Sequence, residues 1–219
     1  MIDFIKAMIS YAQRHGDLII KYLGEHVLLL VITFIISYLV AAVIVSVTRR
    51  NTALKTILDV LTNGIFAIPT LAMFAILIPY TGLGIPTAIT TMVLYNQFSI
   101  VKSINRGFDG IDKSVIESAN AMGLDERQRF IEIDLPLAMP VIVSGMKMTL
   151  IATLTMGTLA ATIGAGGLGV LLFQGLSMKK WHQVGWGIVL TVLLGVIVNV
   201  SMEKIEEYAL KKSRGYGRS

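Results

Sequence analysis

Residues 27–47 read VLLLVITFIISYLVAAVIVSV, a run with no charged side chain. A bilayer core about 30 Å thick needs about 20 apolar residues in a helix, so this stretch alone is long enough to cross one. Four more stretches share its character. Residues 57–80 carry Asp59 near one end and Pro69 in the middle. Lipid offers no other partner for the backbone, so Pro69 is expected to kink this helix rather than end it. Residues 85–101 are shorter and more polar, residues 141–163 are interrupted only by Lys147, and residues 184–202 form the last run. Five spans are expected.

Composition agrees. The chain has 219 residues, 54% hydrophobic and 15% charged, with no cysteine and a mean hydropathy of +0.72. A soluble domain carries about 25% charged residues. Here the charges gather in blocks between long uncharged stretches, which excludes a disordered chain, a disulfide scaffold and an ordinary soluble enzyme. The fold class expected is all-α, a polytopic membrane domain occupying residues 1–219 as one unit. The net charge of +5 suits nucleic acid, but basic residues in a membrane protein hold the cytoplasmic helix ends, and no nucleic-acid partner is expected.

Residues 1–25 lack the basic start and small-residue cleavage site of a signal peptide. Phe4, Ile5, Met8, Ile9 and Ala12 recur at helical spacing opposite Asp3, Lys6, Gln13 and Arg14, which predicts an amphipathic helix lying in the membrane interface. Lys and Arg set the orientation. Arg49, Arg50, Lys55, Lys102, Arg106, Lys113, Arg127, Arg129 and Lys147 fall on one side with Lys204, Lys211, Lys212, Arg214 and Arg218 of the tail. Only Lys6, Arg14, Lys21, Lys179 and Lys180 fall on the other. The N-terminus is therefore expected outside and the C-terminus in the cytoplasm. Trp181 and Trp186 flank the last span as interface anchors.

The connection 102–140 is far longer than a turn requires, and it is rich in charge of both signs. Long loops of this kind are usually functional. Ile116, Ala119, Ala121 and Met122 give it apolar residues at helical spacing. Two short surface helices turning at Gly123 are predicted, since glycine takes the left-handed conformation of a helix end without penalty. Pro136 and Pro140 are expected to mark re-entry into the fourth span.

Glu117-Ser118-Ala119, three residues, Gly123, nine residues, Ile133, one residue, Leu135-Pro136 resembles the signature cytoplasmic loop of bacterial ABC importer permeases, with Ser118 where Ala is usual. The resemblance implies a coupling helix that docks into a cytoplasmic ATPase and transmits ATP-driven closure to the spans. It implies partners: a second permease (a copy or a related chain), two ATPase subunits, an extracellular binding protein and membrane lipid. No cofactor belongs to this chain, and ATP and magnesium are expected on the ATPases. It also implies a multi-pass protein of the bacterial inner membrane that is not itself an enzyme.

Residues 163–169, Ile-Gly-Ala-Gly-Gly-Leu-Gly, and 172–176, Leu-Phe-Gln-Gly-Leu, resemble permeases of the osmoprotectant group. These import glycine betaine, carnitine, choline or proline betaine. An importer for methionine or a trimethylated amino acid remains the alternative, and an ion-coupled secondary transporter a more distant one, because no acidic residue falls at mid-membrane and no repeat is evident. Gly164, Gly166 and Gly169 also satisfy G-x-G-x-x-G, but no strand precedes them and no acidic residue follows at the required distance, so nucleotide binding is rejected. Gly164, Gly166, Gly167 and Gly169 read instead as a gate or hinge at the outer mouth. Thr70, Met73, Tyr95, Asn96, Thr153 and Met156 are candidates to line the path. No catalytic group and no metal site is expected: His15, His26 and His182 are isolated, and Lys147 is expected to snorkel. Glu203, Glu206 and Glu207 read as a solvated helix end.

Overall fold

A computed structural model describes residues 2–48 and 51–216, which are mostly helical with no strand among them. Arg49, Arg50 and Arg218 of the charge count lie outside the described residues. Helix α1 spans Ile2–Thr48, with non-helical dihedrals at His15 (φ −134°, ψ 27°). The segment ahead of His15 packs on the last helix while Phe4, Ile5 and Ile9 stay exposed. Trp186 Nε1 donates to Met8 O at 2.9 Å, and a Cβ on Gly185 would meet Met8 Sδ and Phe4 Cζ at 3.0 Å. The expected boundary near residue 25 is not a break. Lys21 and Glu25, four apart and 3.8 Å from one another, support the helix across it. Trp186 spends its indole N–H inside the protein.

Helices α2 (Thr52–Ala67) and α3 (Thr70–Thr81) replace the expected kinked span. They meet at 104°, so Pro69 ends a helix instead of bending one. The residue before a proline is driven to extended dihedrals, and Ile68 adopts them (φ −73°, ψ 132°). The break is tolerated because the protein supplies what lipid cannot: the Tyr95 hydroxyl donates to the carbonyl of Ile68.

Gly82 and Gly84, with φ of +81° and +90°, turn the chain into α4 (Ile85–Asp109). This helix is the centre of the fold, packing on α1, α2, α3 and α7. Thr87, Thr91, Asn96 and Gln97 are buried along it. The α4–α7 crossing is close because its residues are small. A Cβ on Gly145 would lie 2.2 Å from Ser103 Cβ, and one on Gly107 would lie 2.9 Å from Ala138 O. Next come α5 (Lys113–Ala121), α6 (Glu126–Arg129), a π-turn (Phe130–Asp134) and α7 (Leu135–Ala160). The chain closes with α8 (Gly169–Ser177) and α9 (Trp181–Tyr216).

Three stretches, Asp3–Thr48, Glu126–Ile163 and Trp181–Ser213, are long and apolar enough to cross a membrane, or four if the bent pair α2–α3 counts as one. The 25 residues of α4 reach about 37 Å at 1.5 Å per residue. Length suffices; composition does not, because its neighbours cover it and it needs no apolar surface.

Candidate functional site

The connection between α4 and α7 forms an elbow built mostly from local capping. Asp112 Oδ1 accepts from the backbone N–H and the hydroxyl of Ser114, both at 2.9 Å, and so caps the first turn of α5. Those bonds favour the ionised form and hold the Asp112 carboxyl below its usual range. At the other end Gly123 has φ +81°. Its N–H donates to Asn120 O at 3.0 Å, and that of Leu124 to Ala119 O at 3.3 Å, the paired bonds of a Schellman stop. Asp125 and Gln128 then form a reciprocal capping box at 2.8 and 3.0 Å.

The elbow is braced as well as capped. Arg129 Nη1 donates to Asn120 Oδ1 at 2.9 Å, while its Nε lies 3.5 Å from Oδ2 of the buried Asp134. One guanidinium thus ties the end of α5 to the base of α7. The Phe130 ring stacks on Phe108 at 5.7 Å, tying the same turn to the end of α4. Pro136 stands in the first turn of α7, at the entry expected for it, while Pro140 lies inside that helix. Proline lacks the N–H of an α-turn and crowds the carbonyl four residues back. The wider π-turn just before Pro136, closed by Leu135 N–H to Phe130 O, is where the helix gives way.

The motif positions divide between surface and scaffold. Glu117 and Ser118 are exposed, with Ser118 Oγ turned back on Ser114 O at 2.8 Å. Ala119 is buried, Gly123 makes the turn, Ile133 and Leu135 are half-buried, and Pro136 is buried. Met122 beside the turn is 80% exposed. The arrangement presents one short, rigid face joined without slack to a long helix.

The glycine turn sits elsewhere, between α7 and α8. Gly164, Gly166 and Gly167 have φ of +83°, +79° and +78°, and Gly169 begins α8. Gly167 N–H donates to Glu25 Oε2 at 3.0 Å. A Cβ on Gly167 would lie 2.9 Å from Nδ1 of the fully buried His26, and one on Gly169 would lie 1.9 Å from Thr158 O. The turn is therefore pinned to α1.

Of the six path candidates, Met73, Tyr95, Asn96, Thr153 and Met156 are buried within the chain and Thr70 is half-buried. Asn96 Nδ2 donates to Ser37 Oγ at 3.1 Å and to Thr153 Oγ1 at 3.0 Å, joining α1, α4 and α7. Met73, Tyr95 and Met156 share one core cluster. Lys147 does not snorkel: its Nζ pairs with Glu206 Oε2 at 2.9 Å. Glu203 accepts from Asn199 at 3.2 Å, so this acidic group is not simply a solvated end. Among the described residues no group of three or more His, Asp or Glu is placed to hold a metal.

Sequence reading missed Arg129, Asp134, Glu25 and His26 as structural determinants. Glu25 and His26 directly precede the uncharged run of α1, a position that signals a helix passing into packed surroundings. Arg129 carries no such signal, because its partners lie on both sides of it.

A polytopic helical bundle with a braced elbow between two of its long helices is the architecture of a transport permease. Residues 34–212 match the family described as the binding-protein-dependent transport system inner membrane component, and the chain belongs to that family. It is 30% identical over 193 residues to the choline transport system permease protein OpuBB of Bacillus subtilis (strain 168), covering 88% of each chain. It is 27% identical over 206 residues to the glycine betaine/carnitine/choline transport system permease protein OpuCB of the same organism, covering 94% of each. A chain of the inward-facing MetNI methionine ABC transporter superposes with a TM-score of 0.79 at 21% identity, covering 90% of this chain and 98% of that one, which shows a shared fold.

Proposed function

We propose that the chain is the permease subunit of an ATP-driven importer of quaternary-ammonium osmoprotectants: glycine betaine, carnitine, choline or proline betaine. The observation that carries the reading is the braced elbow bearing Glu117 to Pro136, taken with the substrates named for the relatives. The exposed face of α5 docks on a cytoplasmic ATPase. The Arg129 tie to Asn120 and Asp134 passes its displacement to α7 with little loss. Two permeases enclose the path, two ATPases hold ATP and magnesium, and an extracellular binding protein delivers substrate. The bent pair α2–α3 and the covered α4 complete five spans, with the N-terminus outside and the elbow in the cytoplasm. The turn at Gly164, Gly166, Gly167 and Gly169 then lies at the outer mouth as a gate. Of the path candidates, Thr70 at the α2–α3 break is the open one, and Met73, Tyr95, Asn96, Thr153 and Met156 support the wall from behind.

The test is uptake of labelled glycine betaine at high osmolarity in cells lacking osmolyte importers, with the partner ATPase and binding protein co-expressed. Choline, carnitine, proline betaine and methionine serve as competitors. A Gly123→Asp variant breaks the turn that ends α5. Uptake that requires the chain, disappears in the variant and is competed by quaternary amines supports the reading. Competition by methionine alone moves the substrate class. Loss of membrane-bound ATPase from the unmodified complex removes the docking role of the elbow.

A further inference from the structure

Between α4 and α7, toward the elbow, lies a cavity of about 330 Å³ whose walls include Phe98, Ser99, Lys102, Arg106, Ser144 and Met148. Two cations line it and, among the described residues, no carboxylate does. Lys102 and Arg106 stand four residues apart on one face of α4, a spacing at which like charges repel. The acid at this end of the helix, Asp109, is already engaged by Lys55 at 3.1 Å.

Lys102 makes do with weak partners. Its Nζ donates to Asn63 Oδ1 at 3.1 Å and stands 4.0 Å over the centroid of the Phe98 ring. The Phe66 ring stacks on Phe98 at 4.3 Å and 18°. A ring has two faces, so the ammonium holds the one that Phe66 leaves free. A neutral amide and an aromatic face compensate a half-buried ammonium poorly compared with a carboxylate.

We propose that this cavity seats a zwitterionic quaternary amine, with its carboxylate held by Lys102 and Arg106 and its methylated cation on the Phe98 face that Lys102 gives up. The inference rests on the importer reading and narrows its substrate class. The cations gain the anion they lack, and the ring exchanges one cation for another. The hydroxyls of Ser99 and Ser144 are at hand to donate to the carboxylate. Choline carries the cation but a hydroxyl in place of the carboxylate, so it would leave both cations unpaired. The seat therefore selects betaines over choline, by withholding a partner rather than by size.

The test uses the assembled permease–ATPase complex in lipid nanodiscs without binding protein. Lysines are acetylated with limiting acetic anhydride, and modification of Lys102 is measured by mass spectrometry, with exposed Lys180 as internal reference. Glycine betaine should lower Lys102 modification several-fold, and choline at the same concentration should leave it unchanged. Arg106→Gln should abolish the protection and Arg106→Lys should retain part of it. Equal protection by choline overturns the carboxylate seat. So does absence of protection in a complex that imports glycine betaine once binding protein is added, and that result leaves the importer reading intact. Failure of import with binding protein present removes the importer reading, and the seat with it.

Discussion

The backbone N–H of Gly167 donates to Oε2 of Glu25 at 3.0 Å, joining residues 142 positions apart in the chain. The bond holds a left-handed turn against α1. Gly164 and Gly167 have nearly equal positive φ, so alanine at either costs about 1–2 kcal/mol in backbone strain. They differ in surroundings. A Cβ on Gly164 meets nothing within 4 Å, whereas one on Gly167 must displace buried His26. Gly167→Ala is therefore expected to lower the unfolding temperature in detergent clearly more than Gly164→Ala. Equal losses would mean that the turn is not packed against His26.

The Lys147–Glu206 pair, at 2.9 Å, ties α7 to α9. Removing either partner leaves the other charge half-buried and alone. Lys147→Met and Glu206→Gln should each lower the unfolding temperature, and the double variant should lose less than the two losses combined. Strict additivity would show that the residues do not interact.

Lys179 is the one described residue other than glycine with positive φ, at 54°. It occupies the position after α8 where glycine is favoured, with Lys180 N–H donating to Gly175 O at 2.7 Å. Lys179→Gly is expected to stabilise the protein by roughly 0.5–1 kcal/mol once the added chain entropy of glycine is subtracted. Thermal unfolding of the two proteins side by side measures this. A lower unfolding temperature for the variant would contradict it.

What the sequence made legible was chiefly local or compositional. The uncharged run 27–47 belongs to a helix whose Leu28, Ile35, Leu39 and Val43 stay exposed, so its composition reports what surrounds it. Gly123 could be read as a helix stop because capping chemistry is confined to a few neighbours. Pro69 could not be read correctly, because the bond that makes the break tolerable comes to Ile68 from Tyr95, 27 residues beyond Ile68. Helix α4 looked marginal for the same kind of reason: hydropathy registers surroundings, and its surroundings are other helices. The Arg129 brace depends on two partners on opposite sides of a turn, which no spacing announces.

Asp112 gives the elbow a dependence on acidity. Its bonds to Ser114 hold the carboxyl below its usual range, so the cap contributes fully above the unfolded-state pKa, about 3.9. That contribution is lost as pH falls through the lower, folded value. Amide exchange at Val115 and Ile116, corrected for intrinsic rates, should quicken below about pH 4. In Asp112→Asn, which keeps an acceptor without a charge, it should show no such step. A step of equal size in the variant would assign the effect to another group.

The covering of α4 also bears on how such a chain can drift in sequence. Almost none of the apolar window of α9 is buried, so exchange among leucine, isoleucine and valine there alters little that the fold can feel. On α4, Asn96, Thr91 and Ala88 are enclosed on every side, and almost any exchange changes volume or strands a polar group. A saturation mutagenesis map of this protein should therefore find the outward-facing α9 permissive and the enclosed α4 far less so.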